Sequence, residues 1–364
     1  MGATPLACPT PLACTTPGAH TRVVDRTPEW RGQRGRGMGE ILALAGQNLI
    51  SPMILCFALG LGAALARSDL SFPEAVAKGM SLYLLFAIGF KGGASVADHG
   101  VDLTLGLVLV AGVLLSLALP VVAFGLLRLM TGLSATDRAA VAAHYGSISI
   151  VTFVAASAAL TAQGIAHEGY MVAVAAAMEA PAILAALWLI ARSGNGGRGR
   201  MAPGVMREIL LNGSIVLLVG SFLIGWITGA EGRAEIAAFI DAPFRGVLCL
   251  FLLDMGLVAG RGLRSSRGVI GPGVVAFGVL MPLVGSVAGL AAGLVVGLSA
   301  GGVALMMVLC ASASYIAVPA AMRVALPEAN PAVYLTLALG ITFPFNLTLG
   351  IPLYLAVAQA VAGG

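Results

Sequence analysis

The sequence predicts an all-α polytopic membrane protein, and its composition supports that fold class in three ways. Of the 364 residues, 59% are hydrophobic and only 10% are charged, and the mean hydropathy is +0.98. Soluble globular proteins contain about 25% charged residues, so a water-soluble enzyme, a disordered protein and a coiled coil are excluded. The 49 glycines fit the same class, because glycine lets membrane helices pack backbone to backbone.

Several function classes leave no signal in the chain. The formal net charge of +4 is scattered, and no basic stripe runs alongside aromatic residues, so no nucleic-acid partner is predicted. No P-loop, H-E-x-x-H motif or nucleophile–base pair occurs in a sensible context, so the chain is predicted to be neither an enzyme nor an ATP-driven machine. No cofactor is predicted.

The N-terminal segment, residues 1–38, differs from the rest of the chain. It contains the near-duplication ATPLAC and PTPLAC and an arginine-rich run from Arg31 to Arg36. It lacks the apolar region of a signal peptide. We predict a disordered extension, with Met38 as an alternative start of the native chain.

Ten apolar runs follow the extension. A bilayer core about 30 Å thick requires roughly 20 apolar residues per helix, so each run is a candidate span. The first five belong to residues 39–192 and the last five to residues 208–364, with a Gly- and Arg-rich cytoplasmic linker at 193–207 between them. The runs are 46–66, 74–92, 103–129, 137–162, 169–192, 208–229, 239–261, 269–298, 302–323 and 330–360.

The lysines and arginines of the loops predict the orientation of the chain. One side of the membrane carries twelve of them, whereas the other carries only Lys91, Arg233 and Arg245. Cytoplasmic loops are enriched in Lys and Arg, so the cation-rich side is placed in the cytoplasm. This leaves both termini outside, in a multi-pass protein of the plasma (inner) membrane. The twelve cations are Arg67, Lys78, Arg128, Arg138, Arg192, Arg198, Arg200, Arg207, Arg261, Arg264, Arg267 and Arg323.

The two halves resemble each other at a constant offset of 167 residues. Lys78-Gly79 coincides with Arg245-Gly246, and Ser147 coincides with Ser314. Five helices per half is an odd number, which inverts the second half relative to the first. Inverted five-helix repeats are typical of secondary transporters, and compositional similarity between glycine-rich halves is the alternative.

The fourth and ninth runs contain polar clusters where the membrane interior is expected. One cluster includes Gly146 and the other includes Pro319, and both residues weaken a helix. Broken backbone at membrane depth is tolerated where it lines a cavity or is buried in protein. We therefore predict that helices 4 and 9 are broken and that their free N–H groups and hydroxyls bind a small anion. The alternative is that the hydroxyls bond back to their own helices.

Two carboxylates, Glu179 and Asp254, lie inside predicted spans. A charge at the bilayer centre costs at least about 2.5–3.5 kcal/mol, so each is a candidate for cation coordination or proton relay, or for a structural hydrogen bond. Shifting Glu179 by 167 residues reaches Asn346, which follows Thr342 in the last run. Oxygen ligands of this kind suit sodium, so these four residues form the predicted sodium set.

Several segments make the chain similar to the sodium-dependent bicarbonate transporter family. They are NLISPMILCFALGLGAAL, LLFAIGFKGG, YGSISIVTFVAASAAL, AAMEAPAIL, FRGVLCLFLLDMG, SASYIAVPAAMRVALPEANPAVY and GIPLY, and together they span residues 40–360. The resemblance implies ten helices in two inverted repeats, a core unit that moves against a gate unit, and a homotrimer. It also implies sodium-coupled uptake of bicarbonate and inhibition by a small cytosolic regulator of the signal-processing type.

The resemblance also implies where the anion binds. The stretch that bears serines in the family's fourth helix maps to Ser147, Ser149 and Thr152, next to Gly146. The partner stretch of the ninth helix maps to Ser312, Ser314 and Tyr315. The sequence departs from well-known members at Ile150 and Val151, where small or polar residues are usual.

Three alternatives remain open at this stage. The first is transport of another small carboxylate-like anion, and the second is a channel or membrane sensor that concentrates nothing. An intramembrane enzyme ranks third. Coupling to a proton instead of sodium, at Glu179 or Asp254, also remains open.

Overall fold

The computed structural model describes residues 51–100, 102–192, 211, 213–265, 271–315, 318–319, 322 and 326–363. The predicted N-terminal extension 1–38 and the predicted linker 193–207 lie outside these residues. Within them, all regular secondary structure is helical. The helices are α1 Pro52–Leu65, α2 Glu74–His99, α3 Leu103–Met130, α4 Ala135–Gly146, α5 Ile150–Ala162, α6 Met171–Ala177, α7 Glu179–Arg192, α8 Gly213–Ile240, α9 Phe244–Ser265, α10 Pro272–Val296, α11 Ala300–Ala311 and α12 Pro331–Ala362.

Seven segments among the described residues are long and apolar enough to cross a membrane. This number confirms the polytopic all-helical class. The segments are Glu74–Asp98, Leu103–Met130, Ala135–Ala162, Met171–Leu189, Phe244–Arg264, Pro272–Val296 and Pro331–Ala362.

The remaining predicted runs correspond to shorter or bent helices. α1 and α11 are apolar but contain only 14 and 12 residues. α8 bends at Gly229, whose φ of 59° and ψ of −148° only glycine adopts readily. It then continues to Ile240, beyond the predicted end at 229, and α2 likewise extends past the predicted end at 92.

Glycine contacts join the first two helices to two helices of the second half. α1 packs along α9, and α2 packs along α8. A Cβ atom on Gly60 of α1 would overlap the carbonyl oxygen of Leu253 in α9, and one on Gly93 of α2 would overlap that of Phe222 in α8. Each pair is therefore held together by direct contact between the backbones.

The other helices form a second group around a buried centre. α3 packs on α4 and α10, α10 packs on α11, and α11 packs on the C-terminal part of α12. The backbone of α10 lies against α11 through Gly285, Gly289 and Gly293, which are spaced every four residues along one face. The residues of α4, α5 and α11 are almost all buried, so the polar clusters of the predicted site lie inside the protein and away from lipid.

Candidate functional site

The first polar cluster interrupts a helix. α4 ends at Gly146, and α5 begins at Ile150. The ring of Pro120 packs where a side chain on Gly146 would lie, so only glycine fits. Ser149 is the N-cap of α5, because its Oγ accepts a hydrogen bond of 3.2 Å from the Thr152 amide. The Thr152 hydroxyl donates to the same oxygen at 2.9 Å.

The second polar cluster is a second interruption. α11 ends at Ala311, residues 312–315 are not helical, and Val318 and Pro319 are helical again. The Ser312 hydroxyl donates to the Leu309 carbonyl oxygen at 2.9 Å, which satisfies one of the free carbonyls at the end of α11. Both interruptions occur in the segments that the sequence predicts to be broken.

Two hydrogen bonds join the interruptions, and we call the joined segments 147–149 and 312–315 the crossing. The Ser149 amide donates to Ser312 Oγ at 2.9 Å. The Ser314 amide donates to the His144 carbonyl oxygen at 2.8 Å. The structure thus brings the predicted anion-binding residues to one place, namely Gly146, Ser147, Ser149, Thr152, Ser312, Ser314 and Tyr315.

Glu179 reaches the crossing from a helix break that the sequence analysis did not predict. The run 169–192 is divided into α6 and α7 at Met178, and Glu179 is the first residue of α7. Pro181 supplies the local cause, because proline lacks an N–H and is tolerated only in the first turn. The Ser147 hydroxyl donates to Glu179 Oε2 at 2.5 Å, and both residues are buried.

Asn346 contacts the second interruption from α12. Its Nδ2 donates to the Ala311 carbonyl oxygen at 2.8 Å, and its Oδ1 accepts a bond of 3.0 Å from the Tyr354 hydroxyl. The side-chain amide of Asn346 therefore donates to a carbonyl oxygen at the C-terminus of α11. The carboxylate of Glu179 accepts a hydrogen bond from Ser147, which directly follows α4. Glu179 and Asn346 are the two positions that the offset of 167 relates.

Thr342 lies one turn before Asn346, and its hydroxyl forms two hydrogen bonds. Its hydroxyl donates to the Gly278 carbonyl oxygen at 2.7 Å. Because that bond uses the only hydroxyl hydrogen of Thr342, the Tyr145 hydroxyl must donate to it across 2.5 Å. α12 is π-helical over Thr336–Thr342 and Asn346–Gly350, on either side of Pro344. Such segments are frequent at functional sites.

The four predicted sodium ligands are not joined to one another by hydrogen bonds in the regions that the structure describes. Among the described residues, no hydrogen bond joins Glu179 to Thr342 or Asn346, or joins Asp254 to any of these three. Asp254 is buried in α9, which packs on α1. No group of three or more His, Cys, Asp or Glu side chains suited to a metal occurs in the described part of the chain. Glu179, Thr342 and Asn346 each form a hydrogen bond at the end of α4 or of α11.

Tyr315 has a buried hydroxyl group close to the crossing. Within the described residues, this oxygen has no hydrogen-bond partner, although the Ser149 side chain lies beside it. Buried polar groups in proteins are nearly always paired, so an unpaired one requires an explanation. The Tyr315 residue lines a cavity, which places the phenol between the cavity and the crossing.

Two cavities approach the crossing from opposite ends of α2. The Lys78 cavity, of about 950 Å³, is lined by Lys78, Arg261, Tyr315 and residues of α12. The Lys91 cavity, of about 480 Å³, is lined by Lys91, by Phe153 of α5 and by residues around the α8–α9 turn. Lys78 and Lys91 are 13 residues apart on one helix, which corresponds to about 20 Å.

Sequence reasoning missed several residues that build the crossing. The carbonyl groups of His144 and Ala311, and the hydroxyl groups of Tyr145 and Tyr354, accept or donate the bonds described above. Tyr145 stands inside the polar cluster, so its position gave a signal. The carbonyl groups gave none, because backbone atoms leave no trace in residue identity. The His144 ring stacks on Tyr334 at 4.6 Å, which is a packing contact.

Comparisons with known proteins identify a family. A search of curated proteins finds no match to the chain. The sequence model of one protein family, the Na⁺-dependent bicarbonate transporter superfamily, matches residues 52–359. This range includes the crossing, the residues of both cavities and nearly all of the described helices. The match covers well over half of the sequence, so this multi-pass membrane protein belongs to the Na⁺-dependent bicarbonate transporter superfamily.

Proposed function

We propose that the protein is a sodium-coupled symporter that carries bicarbonate into the cell by alternating access. The unpaired hydroxyl of Tyr315 is the observation that carries the proposal, because it places a hydrogen-bond donor between the crossing and an open cavity. Membership of the family supports transport as the function and sodium as the coupling ion.

The crossing suits a small oxyanion. The N-terminus of α5 points its first amides toward the crossing, and a helix N-terminus attracts negative charge. The hydroxyls of Ser149 and Tyr315 lie side by side there, so both are available to donate to a planar anion. Another small carboxylate would meet the same donors, so competition experiments must identify the preferred substrate.

Glu179 and Asn346 are proposed to bind sodium at the crossing. The free end of a broken helix exposes carbonyl oxygens, which are the ligands that sodium prefers, and Asn346 already contacts the carbonyl of Ala311. Glu179 would neutralise the cation and would link its binding to the anion through Ser147. Thr342 and Asp254 are further candidates. The Thr342 oxygen keeps one lone pair after its two hydrogen bonds, and α9, which carries Asp254, packs on the Thr336–Thr342 segment of α12.

The two cavities support alternating access between two bodies. Each cavity has α2 and α9 on one side and residues of the buried group on the other. α2 belongs to the glycine-contact pair α2–α8, and α9 belongs to the pair α1–α9. The Lys78 cavity reaches Tyr315 at the crossing, whereas the Lys91 cavity ends at Phe153, one helical turn away from Ser149. With Lys78 on the cytoplasmic side, this arrangement corresponds to an inward-open state.

The pairing of helices supports an inverted repeat. α1 pairs with α9 as α2 pairs with α8, and α3 packs on α4 as α10 packs on α11. A two-fold axis in the membrane plane would exchange these pairs. Assembly as a homotrimer and control by a small cytosolic regulator are further proposals, which rest on the family resemblance alone.

Uptake of labelled bicarbonate into proteoliposomes tests the proposal. An inward sodium gradient should drive accumulation above the external concentration, and collapse of the gradient should abolish it. Equilibration without accumulation would instead indicate a channel, and no uptake would contradict transport of bicarbonate. Replacement of sodium by a proton gradient distinguishes the two coupling ions.

A matched pair of serine variants tests the position of the site. Ser149→Ala removes the N-cap of α5 and a hydroxyl at the crossing, whereas Ser134→Ala removes the N-cap of α4 far from the crossing. Each loses about 1 kcal/mol of capping stability. Only Ser149→Ala should abolish uptake, and equal effects from the two variants would contradict an anion site at the crossing.

A further inference from the structure

Three cations that are distant in sequence converge on the Lys91 cavity. Lys91 comes from α2, Arg233 from α8 and Arg245 from α9, and all three line this one cavity. They are also the three cations that the loop analysis places outside the cell, where twelve others are placed inside. The positive charge of the predicted outer loops is therefore gathered at a single opening.

The Lys91 cavity carries an excess of positive charge. Lys91 is neutralised by Asp241 at 2.7 Å and lies 4.5 Å from the centre of the Phe244 ring. Arg233 and Arg245 are exposed, and within the described residues neither has an ion pair or a hydrogen bond. Two guanidinium groups are thus available to an anion that enters.

Hydroxyl and ring groups line the wall of the cavity behind these cations. Ser157, Thr161 and His167 contribute to it, and the His167 Nε2 is hydrogen-bonded to Ser157 Oγ at 3.0 Å. Burial holds the pKa of His167 below its usual range, so the ring is neutral near pH 7 and leaves the charge balance to the arginines. Phe153 also lines the cavity and lies about 6 Å along α5 from Ser149.

We propose that the Lys91 cavity is a second anion site, which collects small oxyanions such as bicarbonate or short carboxylates before they enter the crossing. The inference rests on the proposed function for the direction of transport. The presence of an anion-attracting cavity is a separate physical claim. A field of this kind raises the local concentration of an anion at its entrance and increases its rate of capture.

A thiol reporter measures the field without any transport. Thr161→Cys is introduced in a chain in which Cys8 and Cys14 are alanine, and its reaction rates with the anionic sulfonatoethyl and the cationic trimethylammonioethyl methanethiosulfonates are compared. The chain without Thr161→Cys supplies the background rate. The proposal predicts that the ratio of the anionic to the cationic reaction rate is higher in Thr161→Cys than for a free thiol in solution. A ratio at or below that reference would overturn it.

Charge-neutral variants identify the source of the field. A charge about 10 Å away in water changes each rate roughly twofold, so Arg233→Gln or Arg245→Gln should lower the anionic-to-cationic ratio roughly fourfold. Glu235→Gln is the control, because Glu235 is exposed on the same helix as Arg233 but does not line the cavity. A change of equal size and opposite sign in Glu235→Gln would mean a diffuse surface field and would overturn the site.

Uptake measurements then connect the cavity to transport. Arg233→Gln should raise KM for the anion several-fold at low ionic strength and leave the maximal rate unchanged, and added salt should remove the difference. If the protein proves to transport nothing, the thiol ratio still decides whether the cavity attracts anions. If uptake is normal but the ratio is insensitive to both arginines, the cavity proposal fails alone.

Discussion

The Ser314 amide and the His144 carbonyl oxygen form a hydrogen bond of 2.8 Å, which joins the two interrupted segments through their backbones. Side-chain substitutions leave both atoms in place. The bond between the Ser149 amide and Ser312 Oγ differs, because a hydroxyl supplies the acceptor. The two contacts across the crossing therefore respond differently to the replacement of serine by alanine.

Ser312→Ala is expected to destabilise the protein more than Ser314→Ala. The first leaves a buried amide of Ser149 without its acceptor, which costs about 1–3 kcal/mol, whereas the second keeps the backbone bond. Thermal unfolding in detergent compares the two variants. Uptake by Ser314→Ala should fall although its unfolding temperature is unchanged. A stable, fully active Ser314→Ala would show that this hydroxyl does not bind the anion.

Glu179→Gln is expected to weaken the dependence of uptake on sodium more than the affinity for the anion. The amide keeps a partner for the Ser147 hydroxyl but removes the charge that we propose to neutralise sodium. The measurement is the sodium concentration for half-maximal uptake, compared with KM for bicarbonate. Ser221→Ala serves as a control for general damage to the packing, because Ser221 is buried in α8 and its hydroxyl donates to the Leu218 carbonyl oxygen. Equal changes in both parameters, or no change in either, would contradict a cation role for Glu179.

Tyr315→Phe is expected to raise KM for the anion by about tenfold without a loss of stability. The variant removes a hydroxyl that has no partner among the described residues, so no protein hydrogen bond is broken. A single hydrogen bond to a charged ligand is worth about 1.5 kcal/mol or more, which corresponds to this change. Tyr83→Phe is the matched control, since its hydroxyl donates to Phe239 away from the crossing. Unchanged uptake in Tyr315→Phe would remove the phenol from the site.

Gly60→Ala and Gly62→Ala are expected to differ sharply, although both lie on α1. A Cβ on Gly60 would overlap the Leu253 backbone, so α1 and α9 must separate, whereas a Cβ on Gly62 meets nothing within 4 Å. Alanine also favours a helix by up to about 1 kcal/mol, so Gly62→Ala should be neutral or stabilising. Unfolding temperatures in detergent decide the matter. Similar values for the two variants would contradict the close pairing of α1 with α9.

His167→Gln is expected to reduce the loss of stability at mildly acidic pH. Burial lowers the pKa of His167 from its usual value of 6.5, although the Glu168 carbonyl and carboxylate oppose the shift. The unfolded chain therefore binds a proton at pH values where the folded chain does not, and stability falls as the pH drops below about 6.5. The other ionisable groups that line the same cavity are Lys91, Arg233, Arg245 and Asp241.

The measurement is the unfolding temperature of both proteins from about pH 8 to about pH 5. The difference between the wild type and His167→Gln should grow toward low pH, because glutamine keeps a hydrogen-bonding group near Ser157 and does not titrate. Parallel curves would show that His167 makes no contribution to the acid sensitivity.

The interruptions were predictable because the residues that cause them are visible in the sequence. Gly146 and Pro319 weaken helices. Ser147 follows Gly146, Ser314 precedes Pro319, and the offset of 167 relates the two serines. The break before Glu179 was missed, although Pro181 lies two residues beyond it, because a proline in a first helical turn and one in a broken helix look alike.

The sodium set and the cavities show what sequence alone cannot supply. The offset between the halves relates Glu179 to Asn346, but it does not tell that Glu179 accepts a hydrogen bond from Ser147 or that Asn346 donates to the Ala311 carbonyl oxygen. The Lys91 cavity combines residues more than 150 positions apart, and only the packing of α2 on α8 brings them together. Among 49 glycines, none reveals its partner helix before the fold is known.

The glycine contacts have a mechanical consequence. Side chains that lie between two helices can change rotamer, and this allows the helices to slide past each other. α1 and α9, like α2 and α8, have no such side chains where their backbones touch, so sliding would force main-chain atoms into one another. Each pair should then move as one rigid body. In the transport cycle that we propose, the displacement would therefore occur at the side-chain-lined faces that border the two cavities.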